Sequence, residues 1–167
     1  MSKREAAIRD LVRGSYEDPS VVARYTTVGL WPSEEILILE YVPDDAYVLD
    51  LGCGAGRTTV ALAELGIRVH GVDISSTMVS IARRQTELAH VDADYSVMDA
   101  MKLGFADNSF EVVLYSYNGI ELIPGINGKL RVMQEVWRVL RKGGHLIFSS
   151  HSFFALNRFF PSRLYGV

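Results

Sequence analysis

Val48-Leu49-Asp50-Leu51-Gly52-Cys53-Gly54-Ala55-Gly56-Arg57-Thr58-Thr59 is the stretch on which the fold of this chain turns. An apolar run takes in an acid, three glycines follow at alternate positions, and residues suited to a helix come next. Glycine has no Cβ, so this density at the carboxyl end of a strand lets the backbone turn sharply and lie close to a ligand. In an open α/β sheet, that position is where nucleotide-like ligands sit. A glycine-rich turn also serves purely structural ends, so the segments that follow must decide.

The spacing is Gly52-x-Gly54-x-Gly56, not the G-x-G-x-x-G of dinucleotide-binding domains, and no P-loop lysine follows. A second apolar strand, Ile67-Arg68-Val69-His70-Gly71-Val72, ends in Asp73. An acid at that tip is placed to accept hydrogen bonds from ribose hydroxyls. Asp73 can equally serve as a helix N-cap, a role open to Ser75 and Ser76 as well. A third strand leads to Met98-Asp99-Ala100, where Asp99 taken alone is an ordinary loop acid. Three such features at the ends of three consecutive strands are hard to explain as turns and caps.

D-L-G-C-G-x-G-R-T followed by G-V-D-I-S resembles the class I S-adenosylmethionine-dependent methyltransferases, most specifically over residues 46–78 and more loosely to about residue 151. Phe110-Glu111-Val112-Val113-Leu114-Tyr115-Ser116 resembles that family's fourth strand. Leu140-Arg141-Lys142-Gly143-Gly144 resembles its turn into the fifth, with Lys142 where proline is common. The resemblance implies S-adenosyl-L-methionine as cofactor. The backbone of Gly52, Gly54 and Gly56 would pass along its methionine portion, beside Asp50 in the strand end. Asp73 would hold the ribose and Asp99 the adenine amino group. Ile74 and Ala100 would flank the adenine, and Ser116 would lie near the donor site. Met78 either joins that pocket or belongs to the core of its helix. Arg57 either pairs with the cofactor carboxylate or faces solvent from the first helical turn.

Around these motifs, strands are expected at 46–51, 67–72, 93–97, 110–116 and 145–150, with helices at 57–65, 76–88 and 128–140. This alternation implies an α/β, Rossmann-like, doubly wound and mainly parallel sheet with helices on both faces. In the helix at 128–140, Leu130, Met133, Val136, Trp137 and Leu140 read as the packed face, which makes Trp137 a core residue. Residues 1–43 read as an N-terminal helical cap. Ala6, Ala7, Leu11 and Val12 support a short helix there, and Pro32 opens another that runs to about Tyr41. Residues 44–151 form the cofactor-binding domain. Residues 152–167, with Phe153, Phe154, Phe159 and Phe160, form an apolar tail at the start of a missing or shortened acceptor-side segment. The sheet is thus expected to be incomplete after its fifth strand, whose edge offers a surface for a homodimer.

With 167 residues, 49% apolar and 22% charged, the chain suits one domain with a packed core rather than disorder. The net charge of −3 and the lack of a basic stripe argue against nucleic acid as a partner. The single Cys53 excludes an internal disulfide and suits a reducing compartment. No secretory signal and no membrane-length apolar run is read, so a cytoplasmic protein without a membrane partner is expected.

Methyl transfer from a sulfonium needs alignment and water exclusion more than a strong base, and positioning alone supplies roughly 7–11 kcal/mol in well-oriented systems. Candidates for proton removal are His151, Tyr117 and Glu121, the last two with Asn118 in the loop after the fourth strand. Tyr117, Asn118 and Glu121 are equally loop residues with structural hydrogen bonds. His70, His90 and His145 read as structural, and no spacing suggests a metal site. The leading expectation is a methyltransferase acting on a small molecule. The alternatives are a non-catalytic or partial cofactor-binding domain and, less favoured for want of G-x-G-x-x-G, an NAD-dependent oxidoreductase.

Overall fold

The computed structural model describes residues 29–151, together with Asp10, Leu11 and Gly14. Most of the expected cap at 1–43 and the whole of the tail at 152–167 lie outside the described residues. The expected short helix around Ala6 and Val12 lies outside them too, apart from Leu11.

Within that span the order is α1 (Pro32–Tyr41), β1 (Tyr47–Leu51), α2 (Arg57–Glu64), β2 (Arg68–Asp73), α3 (Ser76–Ala89), β3 (Asp94–Val97), β4 (Phe110–Tyr115), a 3-10 turn (Gly119–Leu122), α4 (Gly125–Val139) and β5 (Leu140–Phe148). The five strands form one sheet in the order β3-β2-β1-β4-β5, and every pairing is parallel. After β3 the chain returns past β1 to lay down β4 on its other side. The crevice between β1 and β4 is therefore the topological switch point, where ligands bind in open α/β sheets.

The central strands are apolar nearly throughout because both faces of the sheet are covered. Val48, Val69, Val112, Leu114 and Ile147 pack with Ile38 of α1 and Leu62 of α2 on one face. Leu49, Leu51, Val72, Val113 and Tyr115 pack with Val132, Val136 and Val139 of α4 on the other. Each such side chain fully buried contributes about 1.5–3 kcal/mol. Ser75 caps α3 by accepting from Met78 N at 3.2 Å, so the cap role falls to Ser75 and leaves the Asp73 carboxylate for other work.

Two expectations need correction. The face of α4 that packs is Val132, Glu135, Val136 and Val139, while Trp137 and Leu130 are exposed. The 3.6-residue period through 132, 136 and 139 points to the sheet, and it turns 130 and 137 outward. The fifth strand also begins five residues before 145, directly where α4 ends. Its register slips opposite Phe110 and Val112, so Leu140 pairs with Phe110 and His145 with Val112. Gly143, at φ +82°, carries that bulge, and a Cβ on Gly144 would come within 2.6 Å of the Glu111 carbonyl oxygen. Among the described residues β5 is an outer strand, which is where the expected pairing of two copies would occur.

Candidate functional site

All five strands end at the same edge of the sheet, and an open cleft there encloses about 1020 Å³, its mouth included. Gly52, Cys53, Gly54, Ala55, Asp73, Ile74, Asp99 and Ala100 line one part of it. Met101, Tyr115, Ser116, Tyr117, Leu122, Ile123 and Pro124 line another.

The glycine turn is built for close approach. Gly52, Gly54 and Gly56 all have positive φ, at 72°, 53° and 90°. A Cβ on Gly54 would meet nothing within 4 Å, so its backbone faces open space in the cleft. Gly56 serves another purpose. A side chain there would strike Ala82 of α3 and Tyr95 of β3 within 3.2 Å, so it allows helix and strand to pack.

Asp73 holds this turn from the tip of β2. Its carboxylate accepts from Gly54 N at 3.0 Å and from Ser75 N at 2.8 Å. Burial raises its pKa, and the backbone donors oppose that rise. Asp99 Oδ1 accepts from Met101 N at 2.9 Å and so shapes the loop after β3. Both acids line the cleft, as do Ile74, Ala100 and Ser116.

Asp50, Gly56 and Met78 stand outside the lining. Asp50 is fully buried beneath the first turn of α2, where its Oδ2 accepts from Thr58 Oγ1 at 2.5 Å and Thr59 Oγ1 at 2.6 Å. Among the described residues its Oδ1 has no hydrogen-bond partner. Burial raises its pKa, only partly offset by the two threonines. Met78 is fully buried at the start of α3. Cys53 is buried, and desolvation raises its thiol pKa well above the usual value, which keeps it unreactive.

Arg57 lines the cleft and does not face solvent. Its guanidinium is bound at two points by Glu34 of α1, Nη1 to Oε2 at 2.6 Å and Nη2 to Oε1 at 2.8 Å. It also donates to Ser116 Oγ at 3.1 Å and to the Gly29 carbonyl at 3.0 Å. The two side chains are only 6% and 10% exposed. Arg57 lies over the Tyr117 ring at 5.4 Å, and Trp31 stands 6.3 Å from that ring. Tyr117 and Asn118 have φ of 52° and 60°, a costly pair of left-handed residues at the cleft wall.

Glu121 and His151 are brought together but do not line the cleft. His151 Nδ1 lies 2.6 Å from Glu121 Oε2, while Glu121 Oε1 accepts from His151 N at 2.6 Å and Ser150 Oγ at 2.9 Å. These bonds hold the Glu121 pKa down at about 2. They also fasten the 3-10 turn, which carries Gly119 and Leu122 of the wall, to the end of β5.

Sequence reasoning missed a second brace. Glu135 of α4 accepts from Leu103 N at 2.9 Å and pairs with Arg138 at 2.8 Å. Arg138 in turn donates to the carbonyls of Leu103 and Phe105 at 2.9 and 2.7 Å. Together they fix the loop that follows Asp99. The signal was an acid at a core position of the 132–136–139 stripe.

A methyltransferase-domain family model matches residues 48–144, and the chain belongs to that family. It is 28% identical over 148 residues to the demethylmenaquinone methyltransferase of Bacillus licheniformis, covering 87% of this chain and 61% of the relative. It is 38% identical over 112 residues to the 2-methyl-6-phytyl-1,4-hydroquinone methyltransferase of Synechocystis, covering 65% and 33%. A solved S-adenosylmethionine-dependent methyltransferase of Methanosarcina mazei superposes with a TM-score of 0.65 at 30% identity, covering 72% of this chain and 57% of that one. The chain therefore spans between a third and three fifths of the length of these relatives. The cofactor that the family implies is S-adenosylmethionine. The open backbone at Gly54 and the two lining carboxylates fit its adenosyl and amino-acid portions. Among the described residues there is no cluster suited to a metal ion and no helix long and apolar enough to cross a membrane.

Proposed function

We propose that this chain carries the donor site and part of the acceptor site of an S-adenosylmethionine-dependent methyltransferase acting on a small molecule. The observation that carries this reading is the convergence, at one topological switch point, of the open Gly54 backbone with the Asp73 and Asp99 carboxylates. When bound, the cofactor supplies an electrophilic methyl group on a sulfonium. Asp73 accepts from the ribose hydroxyls, Asp99 accepts from the adenine amino group, and Ile74 and Ala100 flank the base. Gly52 and Gly54 give the methionine portion its room.

The acceptor is an aromatic ring bearing a hydroxyl, of the quinol kind after which two relatives are named. Support comes from the wall of Met101, Tyr117, Leu122, Ile123 and Pro124, which is apolar and aromatic. Glu121, with its pKa near 2, is too weak a base at neutral pH. Burial raises the Tyr115 pKa, so its hydroxyl stays protonated. That leaves two candidates for taking the acceptor proton, Tyr117, which lines the cleft, and His151, which Glu121 holds through Nδ1 outside the lining. A reducing, cytoplasmic setting suits a protein whose only cysteine is free.

Calorimetry with S-adenosylmethionine, S-adenosylhomocysteine and NAD tests the donor site. Binding of the two sulfur compounds and not NAD is expected, and binding of NAD alone would overturn the reading. A second reading is a cofactor-binding module without its own catalysis, favoured by the position of Glu121 and His151 outside the cleft lining. It predicts tight S-adenosylhomocysteine binding with no methyl transfer to any quinol tried.

A further inference from the structure

Tyr115 closes β4 and stands where the two halves of the cleft meet. It is only 4% exposed, yet it lines the cleft. A Cβ on Gly52 of the glycine turn would come within 3.1 Å of its Cε2. A Cβ on Gly119, which opens the 3-10 turn beside the apolar wall, would collide with the same atom and lie 3.2 Å from Cζ, the carbon that carries the hydroxyl. Gly119 has no left-handed φ to require it. Its missing side chain is the room in which this ring sits.

The ring is clamped, but its hydroxyl is not. Among the described residues Tyr115 Oη makes no hydrogen bond. It is not sealed in the core either, because Asp50 Oδ1 alone among them is a buried side-chain oxygen or nitrogen without a partner. Oη is therefore turned to the cleft. A buried tyrosine usually finds a partner for its hydroxyl, since withdrawing that group from water without one costs free energy. Phenylalanine would fill the same seat without that cost. The partner accordingly arrives with a ligand.

The same hydroxyl lies within electrostatic reach of Asp73 and Asp99, which add to burial in raising its pKa. Its hydrogen is drawn towards those carboxylates, which leaves the oxygen lone pairs to the rest of the cleft. An oxygen so turned suits a cation. Position narrows the cation to one. The reacting sulfonium must face the glycine turn and the apolar wall at once, and the Tyr115 ring edge lies between Gly52 and Gly119. From this we infer that Tyr115 reads the charge on the cofactor's sulfur, so that the donor site favours S-adenosylmethionine over the S-adenosylhomocysteine left after transfer, whose sulfur is neutral. The contact is lost with the methyl group, which favours exchange of product for fresh donor. The inference rests on the methyl-transfer reading and adds to it a residue that tells donor from product. The other group that reaches this place is the acceptor hydroxyl, and experiment separates the two.

Calorimetry compares the natural protein with Tyr115→Phe, which keeps the ring in its seat. The ligands are S-adenosylmethionine, S-adenosylhomocysteine and sinefungin, which carries an ammonium on carbon in place of the methylated sulfur. A polar contact with a charged group is worth about ten- to hundredfold in affinity. Tyr115→Phe should therefore weaken S-adenosylmethionine and sinefungin at least about tenfold and leave S-adenosylhomocysteine within about twofold. Without ligand, the variant should unfold at a urea midpoint no lower than that of the natural protein, since it gives up no internal hydrogen bond.

Equal losses for all three ligands would overturn the inference, because the hydroxyl would then meet a part of the cofactor that does not change in the reaction. Unchanged affinity for all three would overturn it as well, and is the result expected if Oη meets the acceptor. So would a lower urea midpoint for ligand-free Tyr115→Phe, which would give the hydroxyl to the fold. Failure of the natural protein to bind either sulfur compound would instead remove the methyl-transfer reading itself.

Discussion

Arg57 and Glu34 are joined by two hydrogen bonds of 2.6 and 2.8 Å, with both side chains almost wholly withdrawn from water. The pair ties the first turn of α2, directly after the glycine turn, to the first turn of α1. Because Arg57 also reaches Ser116 at the end of β4, one guanidinium locks three segments around the cleft. Planar two-point pairing of this kind is what arginine does and lysine does not.

Removing one partner of such a pair strands the other charge in a poorly solvated site. Glu34→Gln and Arg57→Met should therefore each destabilise the fold by roughly 3–5 kcal/mol, while the double variant that combines them should recover most of that loss. Urea unfolding of the two singles and the double closes the cycle. Additive losses would mean that the pair carries no coupling.

Asp73 does two jobs that substitution can separate. Its carboxylate fixes the glycine turn through Gly54 N and Ser75 N, and the proposed function gives it the ribose. Asp73→Asn keeps an acceptor for one of these two backbone donors, sets its NH2 against the other and gives up the charge. A hydrogen bond to a charged group is worth about 1.5–3 kcal/mol, so S-adenosylhomocysteine affinity should fall about ten- to hundredfold. Calorimetry reads the affinity, and urea unfolding checks that the fold is retained. Unchanged affinity would remove Asp73 from the ribose.

What the sequence made legible was local. The run from Val48 to Thr59 carries strand, turn and helix start within twelve residues, and all three are where they were expected. Asp73 and Asp99 follow because Asp73 closes β2 and Asp99 comes two residues after the end of β3. The pairs that brace the site were not legible, since Glu34 lies 23 residues from Arg57 and Glu121 lies 30 from His151. No local period connects such partners. The face of α4 was misread for a different reason. Of the expected face, Val136 is buried and Met133 and Leu140 pack against the core, and only the sheet decides that Val132 and Val139 join them while Leu130 and Trp137 turn outward. Trp137, the bulkiest residue of the expected face, drew the reading to the exposed side.

His70 offers a pH signature that owes nothing to the cleft. Its ring is held between Tyr47 Oη at 3.2 Å on Nδ1 and Ser96 Oγ at 2.9 Å on Nε2, with Phe105 edge-on at 4.9 Å. Burial lowers its pKa, so the folded state holds the ring neutral where the unfolded chain would already take up a proton. Its contribution is therefore complete above about pH 6.5 and is lost as the pH falls through the folded value. His70→Gln should flatten the stability profile between about pH 5 and 7. Urea midpoints across that range would show it, and parallel profiles for the two proteins would refute it.

Asp50 should show the opposite dependence. It is buried in β1 with one oxygen bound by two threonine hydroxyls and the other without a partner among the described residues, and its pKa is raised by desolvation. The unfolded chain gives up this proton near pH 4, whereas the folded protein keeps it to higher pH. Over that interval the folded state binds more protons, so stability falls as the pH rises until the folded pKa is passed. Asp50→Asn removes the titration while its Oδ1 still accepts from Thr58 and Thr59. The variant should thus gain on the natural protein steadily as the pH is raised from 4 towards 8, with the gap widening only below the folded pKa. Asp50→Ala supplies the contrast, since it also removes the titration but leaves both hydroxyls without their acceptor. That substitution should cost about 1–3 kcal/mol at every pH for each donor so stranded. Thermal or urea unfolding of the three proteins at one-unit pH steps separates the charge from the hydrogen bonds. A constant gap between natural protein and Asp50→Asn would show that the carboxyl is ionised in the folded state throughout.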